Sequence, residues 1–136
     1  MATFVLTNAY VMVASTAVSE YVKSVEITYS KEQREAAAVR KNPIAATPAS
    51  VKQGGELFQV YCTPCHGAGG KGDGLVATKF VPPPDLTNPD LQKARTDGYW
   101  QSYVSVGGAI MPSYGEALTP DERWHVVNFL RTLAQK

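Results

Sequence analysis

Cys62-Thr63-Pro64-Cys65-His66 is the feature that most restricts what this chain can fold into. Two thiols separated by two residues and followed at once by histidine form the spacing that attaches haem through two thioethers. The end of a helix can present both sulfurs to the two vinyl groups on one haem edge. The adjacent imidazole then lies under the iron as its proximal ligand. These are the only two cysteines in the 136 residues, so no other thiol is left for a disulfide or a zinc site.

A second axial ligand is found by elimination. Met1 and Met12 sit in an N-terminal apolar stretch, and Met111 is the only methionine after the haem motif. Pro112 restricts Met111 to extended backbone, which suits a residue that reaches across a flat macrocycle from a loop. Gly107, Gly108 and Gly115 bracket it and allow the loop to come close to the ring. Taken alone, Met111 reads equally well as core filler. Beside Cys62, Cys65 and His66 the ligand reading is the stronger one. His125, the only other histidine, falls in the middle of an expected helix and reads as structural.

Capping and periodicity signals point to an all-α domain. Thr119-Pro120-Asp121-Glu122 is a helix start, with threonine as N-cap, proline at the first helical position and an acid three residues on. Trp124, Val127, Phe129, Leu130 and Leu133 then supply an apolar face to about Ala134. Ala49-Ser50 opens an earlier helix after Pro48, and that helix ends at the haem motif. Tyr99, Tyr103 and Val106 recur at helical spacing and predict a shorter helix over Gly98 to Val106. Between them, Gly67 to Leu91 is too rich in glycine and proline for a long helix and reads as a loop around the haem edge. A short chain can carry so much loop when the haem itself provides buried apolar surface.

Residues 1–49 read as an N-terminal extension and residues 50–136 as the haem domain. Ala2 to Ser19 carries no charge, and a helix of eighteen residues would reach about 27 Å, near the thickness of a bilayer's hydrocarbon core. Thr3, Thr7, Asn8, Ser15 and Thr16 dilute that stretch, and no basic cluster precedes it. Three readings stay open for it: a membrane anchor, a segment packed on a partner or at an interface, and a signal remnant. Ser19 to Tyr29 is dense in valine, isoleucine, threonine and tyrosine and reads as strand or extended chain. Lys31 to Arg40 reads as a helix stopped at Asn42-Pro43, and Asn42 to Ala49 as a small, proline-containing linker. A net charge of +1 with no basic stripe speaks against a nucleic-acid partner.

On these residues the chain resembles the class I c-type cytochromes from about Ser50 to the C-terminus. Gly54 and Phe58 stand eight and four residues before Cys62, where that family places a small residue and an aromatic. Phe129-Leu130 is similar to the family's aromatic–leucine pair on the last helix. The resemblance implies three to four helices around one covalent haem c, with the glycine allowing the last helix to cross closely. It also implies that a proline carbonyl after the motif, from Pro82, Pro83 or Pro84, receives the other N–H of His66. The triplet equally reads as a stiff polyproline II segment. Lys71, Arg95 and Arg123 are each in play for a haem propionate, against a plainer reading as solvated surface charge.

The local wording narrows the likeness. Tyr61 through Gly74, Phe80-Val81-Pro82-Pro83-Pro84-Asp85-Leu86, Met111-Pro112-Ser113-Tyr114-Gly115 and Arg123-Trp124 resemble the monohaem cytochrome c subunit of bacterial alternative complex III. That resemblance implies one-electron transfer with no substrate chemistry of its own. The partners it implies are other haem-bearing subunits of a quinol-oxidising membrane complex, and a soluble redox carrier or terminal oxidase. The place it implies is the periplasmic face of the cytoplasmic membrane, with contact through residues 1–20. Subunits of this kind can be tethered by a lipidated N-terminal cysteine, whereas no cysteine precedes Cys62 here. Other classes share the motif: a free periplasmic shuttle, an anchored haem subunit of a nitric oxide reductase, a gas sensor with an open sixth position, and a dithiol protein with both thiols free.

Overall fold

The computed structural model describes residues 30–79 and 81–134. The apolar stretch at 2–19 and the strand or extended segment at 19–29 lie outside the described residues, as does Phe80. The described residues form helices α1 (Lys31–Ala38), α2 (Pro48–Tyr61), α3 (Thr63–His66), α4 (Pro89–Ala94), α5 (Asp97–Val106) and α6 (Pro120–Leu133). A single 3-10 turn, Ala77–Lys79, lies in the long loop, and no strand occurs among the described residues. The all-α reading holds.

Each start has a side-chain cause. Thr119 Oγ1 accepts from Glu122 N at 3.2 Å while Glu122 Oε2 accepts from Thr119 N at 2.8 Å, a complete capping box for α6. The α2 cap is Thr47, bonded to Ser50 N at 3.2 Å with Pro48 at the first helical position, slightly upstream of the expected Ala49-Ser50 start. Thr96 caps α5. The loop expected to run to Leu91 ends earlier: Asn88, whose Oδ1 accepts from Asp90 N and Leu91 N, caps helix α4 at Pro89.

Helices α2 and α6 share the most extensive helix–helix contact, and a glycine makes it possible. A Cβ at Gly54 would stand 1.9 Å from the His125 carbonyl oxygen, so only glycine lets the backbones approach this far. Phe58 and Phe129 close the crossing with ring centroids 5.1 Å apart. Phe58, Val126, Val127 and Leu133 are almost fully buried there, and Trp100, Trp124, Leu86 and Leu130 extend the same core. Each of the large apolar side chains contributes about 1.5–3 kcal/mol by leaving water.

A polar network lies beside this crossing. Ser50 Oγ shares a 2.7 Å hydrogen bond with His125 Nδ1 and accepts from Asn128 Nδ2 at 2.8 Å. His125 is therefore structural, as read from its mid-helix position. Asn42 Nδ2 donates to Asn128 Oδ1 at 2.8 Å and Asn128 Nδ2 donates to Ile44 O at 3.1 Å. Upstream, Arg40 Nη2 donates to Gln101 Oε1 at 3.1 Å and Thr96 Oγ1 donates to Ala38 O at 2.6 Å. The stretch at 42–46, expected as a linker, is thus clasped to α6, and α1 is packed against α5. Satisfying buried carbonyls and amides holds it there.

Candidate functional site

The haem motif sits where α2 gives way to α3. Cys62 ends α2 and starts α3, a four-residue helix that presents Cys65 and His66 one turn on. Cys62, Cys65 and His66 all line one cavity of about 360 Å³. The opposite walls come from Pro82, Pro83 and Pro84 of the long loop, from Tyr99, Trp100, Tyr103 and Val104 on α5, and from the loop holding Met111. The cavity is overwhelmingly apolar. The structure therefore brings the four sequence-predicted site residues, three from the motif and one from the distant Met111 loop, to one enclosure.

The loop after the motif folds back on it through main-chain bonds. Gly72 N donates to His66 O at 2.8 Å, Gly74 N to Cys65 O at 3.1 Å and Val76 N to Pro64 O at 2.9 Å. These occupy carbonyls at the C-terminal end of α3 that have no helical partner. On the far side, Gly107 ends α5 at φ +79°, a conformation that favours glycine, and Gly108 N donates to Met111 O at 2.9 Å. Met111 is half-buried at this turn.

Burial shapes the chemistry of the motif. It lowers the basicity of His66 and so favours the neutral imidazole, the form that can donate a lone pair to a metal. It pushes the Cys62 thiol up to about 12, with the neighbouring Cys65 adding to the effect. That shift disfavours a thiolate at Cys62 and so a nucleophilic role for this thiol. No group of three or more His, Cys, Asp or Glu side chains is arranged to hold a metal ion among the described residues, so the motif does not form a zinc-type site.

Two buried polar atoms on the cavity wall lack a partner: His66 Nδ1 and Trp100 Nε1. No carbonyl of the proline triplet bonds His66; Pro83 O instead packs against Gly72. An apolar enclosure lined by one imidazole, an indole N–H without an acceptor and two nearby cysteines fits haem c, which would bring iron, carboxylates and an apolar disc. Of the three basic residues weighed from sequence, Arg95 lines the cavity, its guanidinium 4.5 Å above the centre of the Tyr99 ring. Lys71 is exposed. Arg123 departs from the solvated reading: it is buried, donates to Gly115 O at 3.1 Å and also to Leu118 O, and leaves Nε without a partner. Tyr114 was not singled out from sequence. It lines the cavity and donates from its phenol to Tyr61 O at 3.0 Å.

An all-helical fold closed around such a cavity, with the motif on its wall, is that of a cytochrome c domain. The chain belongs to the family described as cytochrome C oxidase, cbb3-type, subunit III, whose model matches residues 49–130. It is 29% identical over 97 residues to the cbb3-type cytochrome c oxidase subunit FixP of Azorhizobium caulinodans, a match covering 64% of this chain and 28% of that protein. It is 28% identical over 86 residues to the cytochrome bc1 complex cytochrome c subunit of Corynebacterium efficiens, covering 62% of this chain and 26% of the relative. The matches thus span little more than a quarter of these relatives' lengths. Among solved structures, a chain of the Kuenenia stuttgartiensis reducing HAO-like protein complex superposes with a TM-score of 0.58 at 25% identity, covering 67% of this chain and 46% of that one. Cytochrome c domains of this family bind haem covalently, and the single attachment motif accommodates one haem c. Among the described residues no helix is long and apolar enough to cross a membrane.

Proposed function

We propose that this chain is a one-electron relay whose haem c is joined by thioethers to Cys62 and Cys65 and held axially by His66 and Met111. The observation that carries this reading is the convergence of these four side chains, from two separate stretches, on one apolar cavity. When bound, the haem supplies a reversible ferric–ferrous couple. The chain supplies a neutral imidazole at His66, a soft thioether at Met111 and walls that exclude water. Nitrogen and thioether ligation together raise the reduction potential relative to two imidazoles. Apolar burial acts in the same direction by disfavouring the added charge of ferric iron. The role we infer is electron transfer, with the chemistry of any parent complex carried out on other subunits.

The domain division carried forward is an extension over 1–49 and a haem domain over 50–136. We place the chain on the periplasmic face of the cytoplasmic membrane as a subunit of a quinol-oxidising complex. Its partners there are other haem-bearing subunits, and its outlet is a soluble carrier or terminal oxidase. Likeness to the alternative complex III subunit supports this, and so do the names of the relatives, which belong to membrane electron-transfer complexes. A second reading, a cytochrome subunit of an oxidase, is favoured by the family match itself. With a net charge of +1, long-range steering is weak, which suits a fixed mount through residues 1–20 better than diffusive capture.

Replacing the sulfur tests the axial assignment. Met111→His keeps the haem attached and lowers the midpoint potential by on the order of 100 mV, a fraction of the roughly 0.8 V that axial ligation spans. Redox titration reads the result, and an unchanged midpoint removes Met111 from the iron.

A further inference from the structure

The Met111 loop is fastened unevenly. Upstream, Ala109 and Ile110 are exposed, and the bond from Gly108 N to Met111 O closes only a local turn. Downstream, every residue from Ser113 to Gly115 is tied to a helix. Ser113 Oγ donates to Ser105 O at 2.7 Å, and Tyr114 N donates to Val104 O at 3.0 Å, both on α5. Gly115 O accepts from Arg123 on α6 at 3.1 Å.

The bond from the Tyr114 phenol to Tyr61 O differs from these, because it reaches the residue directly before Cys62. Carbonyls in the last turn of a helix lose their usual partners. Here Cys65 N turns to Cys62 O, and Tyr114 provides the donor that Tyr61 O receives. The two rings meet edge to face with centroids 5.9 Å apart, which orients the phenol. One side chain, three residues from Met111, therefore joins the methionine loop to the root of the haem motif.

We propose that Tyr114 is a positioning residue that holds Met111 at bonding distance from the iron, with buried Arg123 as a second anchor on the same loop. The inference rests on the His66/Met111 reading above. Loss of either anchor raises the fraction of molecules in which the sulfur is off the iron, and an external ligand reports that fraction directly. Its apparent dissociation constant scales inversely with the competent fraction.

The experiment is a titration of the full-length ferric holoprotein with imidazole at one fixed pH, followed by the methionine–iron charge-transfer band. Tyr114→Phe removes one hydroxyl and keeps the ring. A hydrogen bond of ordinary net strength corresponds to tighter imidazole binding by roughly 3- to 10-fold. Arg123→Gln shifts affinity in the same direction. Asn42→Ala weakens the helical frame away from the loop and is expected to keep the wild-type affinity. Wild-type affinity in Tyr114→Phe overturns the inference, and so does an equal tightening in Asn42→Ala, which would report general loosening. A wild-type protein with covalent haem but no methionine band sinks the Met111 assignment itself, and the inference with it.

Discussion

Where α2 crosses α6, side chains do the fastening; around residues 67–88 the backbone does most of it, and at 107–115 backbone and side-chain bonds share it. The crossing has almost fully buried Phe58, Val126, Val127 and Leu133, with Asn42, Ser50, His125 and Asn128 satisfying one another alongside. The loop half is organised by main-chain bonds such as Leu86 N to Gly70 O at 2.7 Å and Gly74 N to Cys65 O at 3.1 Å. Its apolar side chains line the cavity: Val76 and Val81 from the long loop and Ile110 from the Met111 loop. The loops reach the frame's core through Leu86 and otherwise turn apolar side chains to the cavity. A haem held there would pack this half of the domain as well as serve as its redox centre.

The largest effect expected from this contrast comes from removing the attachment. Cys62→Ala with Cys65→Ala abolishes covalent haem, seen as loss of the haem stain on a denaturing gel. In the resulting protein, hydrogen exchange should rise steeply across 67–88 and 107–115 while the α2/α6 amides stay protected. Equal loss of protection in both regions would break the comparison, because the frame would then depend on haem as much as the loops do.

A second test compares two glycines. Gly54→Ala drives a methyl group onto His125 O and is expected to cost about 1–3 kcal/mol, or more if the helices must part. Gly69 has nothing within 4 Å of an added Cβ, so Gly69→Ala should fall within about 0.5 kcal/mol of wild type. Denaturant midpoints of the two variants decide it, and similar losses at both sites would contradict the division of labour.

The smallest effect concerns the loop's exit toward α4. Asp85 is held below the ordinary carboxylate range by the hydroxyl and then the backbone N–H of Thr87, at 2.7 Å and 2.8 Å. A folded-state value lower than the unfolded one means the carboxylate adds stability above the unfolded value. That contribution is lost as pH falls through the folded value. Thr87→Ala should therefore flatten the acid side of the stability profile, measured by thermal unfolding between neutral and strongly acidic pH. The group is fully exposed, so the effect is slight; an unchanged profile would assign no role to this turn.

Much of the site and frame was legible because local patterns encode them. Cys62-Thr63-Pro64-Cys65-His66 states its chemistry by spacing, and Thr119 with Glu122 states a helix start within four residues. Gly54, Phe58 and Phe129 were readable through a resemblance whose contact the structure then shows. Other features were hidden because their partners are distant in sequence. Asn42 bonds a residue 86 positions on, Tyr114 one 53 positions back, and nothing in their neighbourhoods signals either bond. Arg123 resembles any surface arginine on an amphipathic helix until the Gly115 and Leu118 carbonyls are seen to enclose it. Helix α4 is masked in the sequence by a glycine- and proline-rich stretch, although Asn88 is a cap and proline at the first helical position starts a helix. The resemblance implies one carbonyl of the proline triplet for His66, with a stiff polyproline II segment as the alternative; here the triplet lines the cavity with no bond to that ring.

The most direct measurement of the central claim is the oxidised and reduced optical spectrum of the native protein together with a haem-stained denaturing gel. The account requires a haem band that survives denaturation at this chain's mass, and a ferric charge-transfer band of the kind produced by a methionine–iron bond. Covalent haem without the methionine band would remove Met111 from the iron and open the sixth position to a sensor-like role. The absence of any denaturation-resistant haem would contradict the assignment of Cys62, Cys65 and His66 and the function built on them.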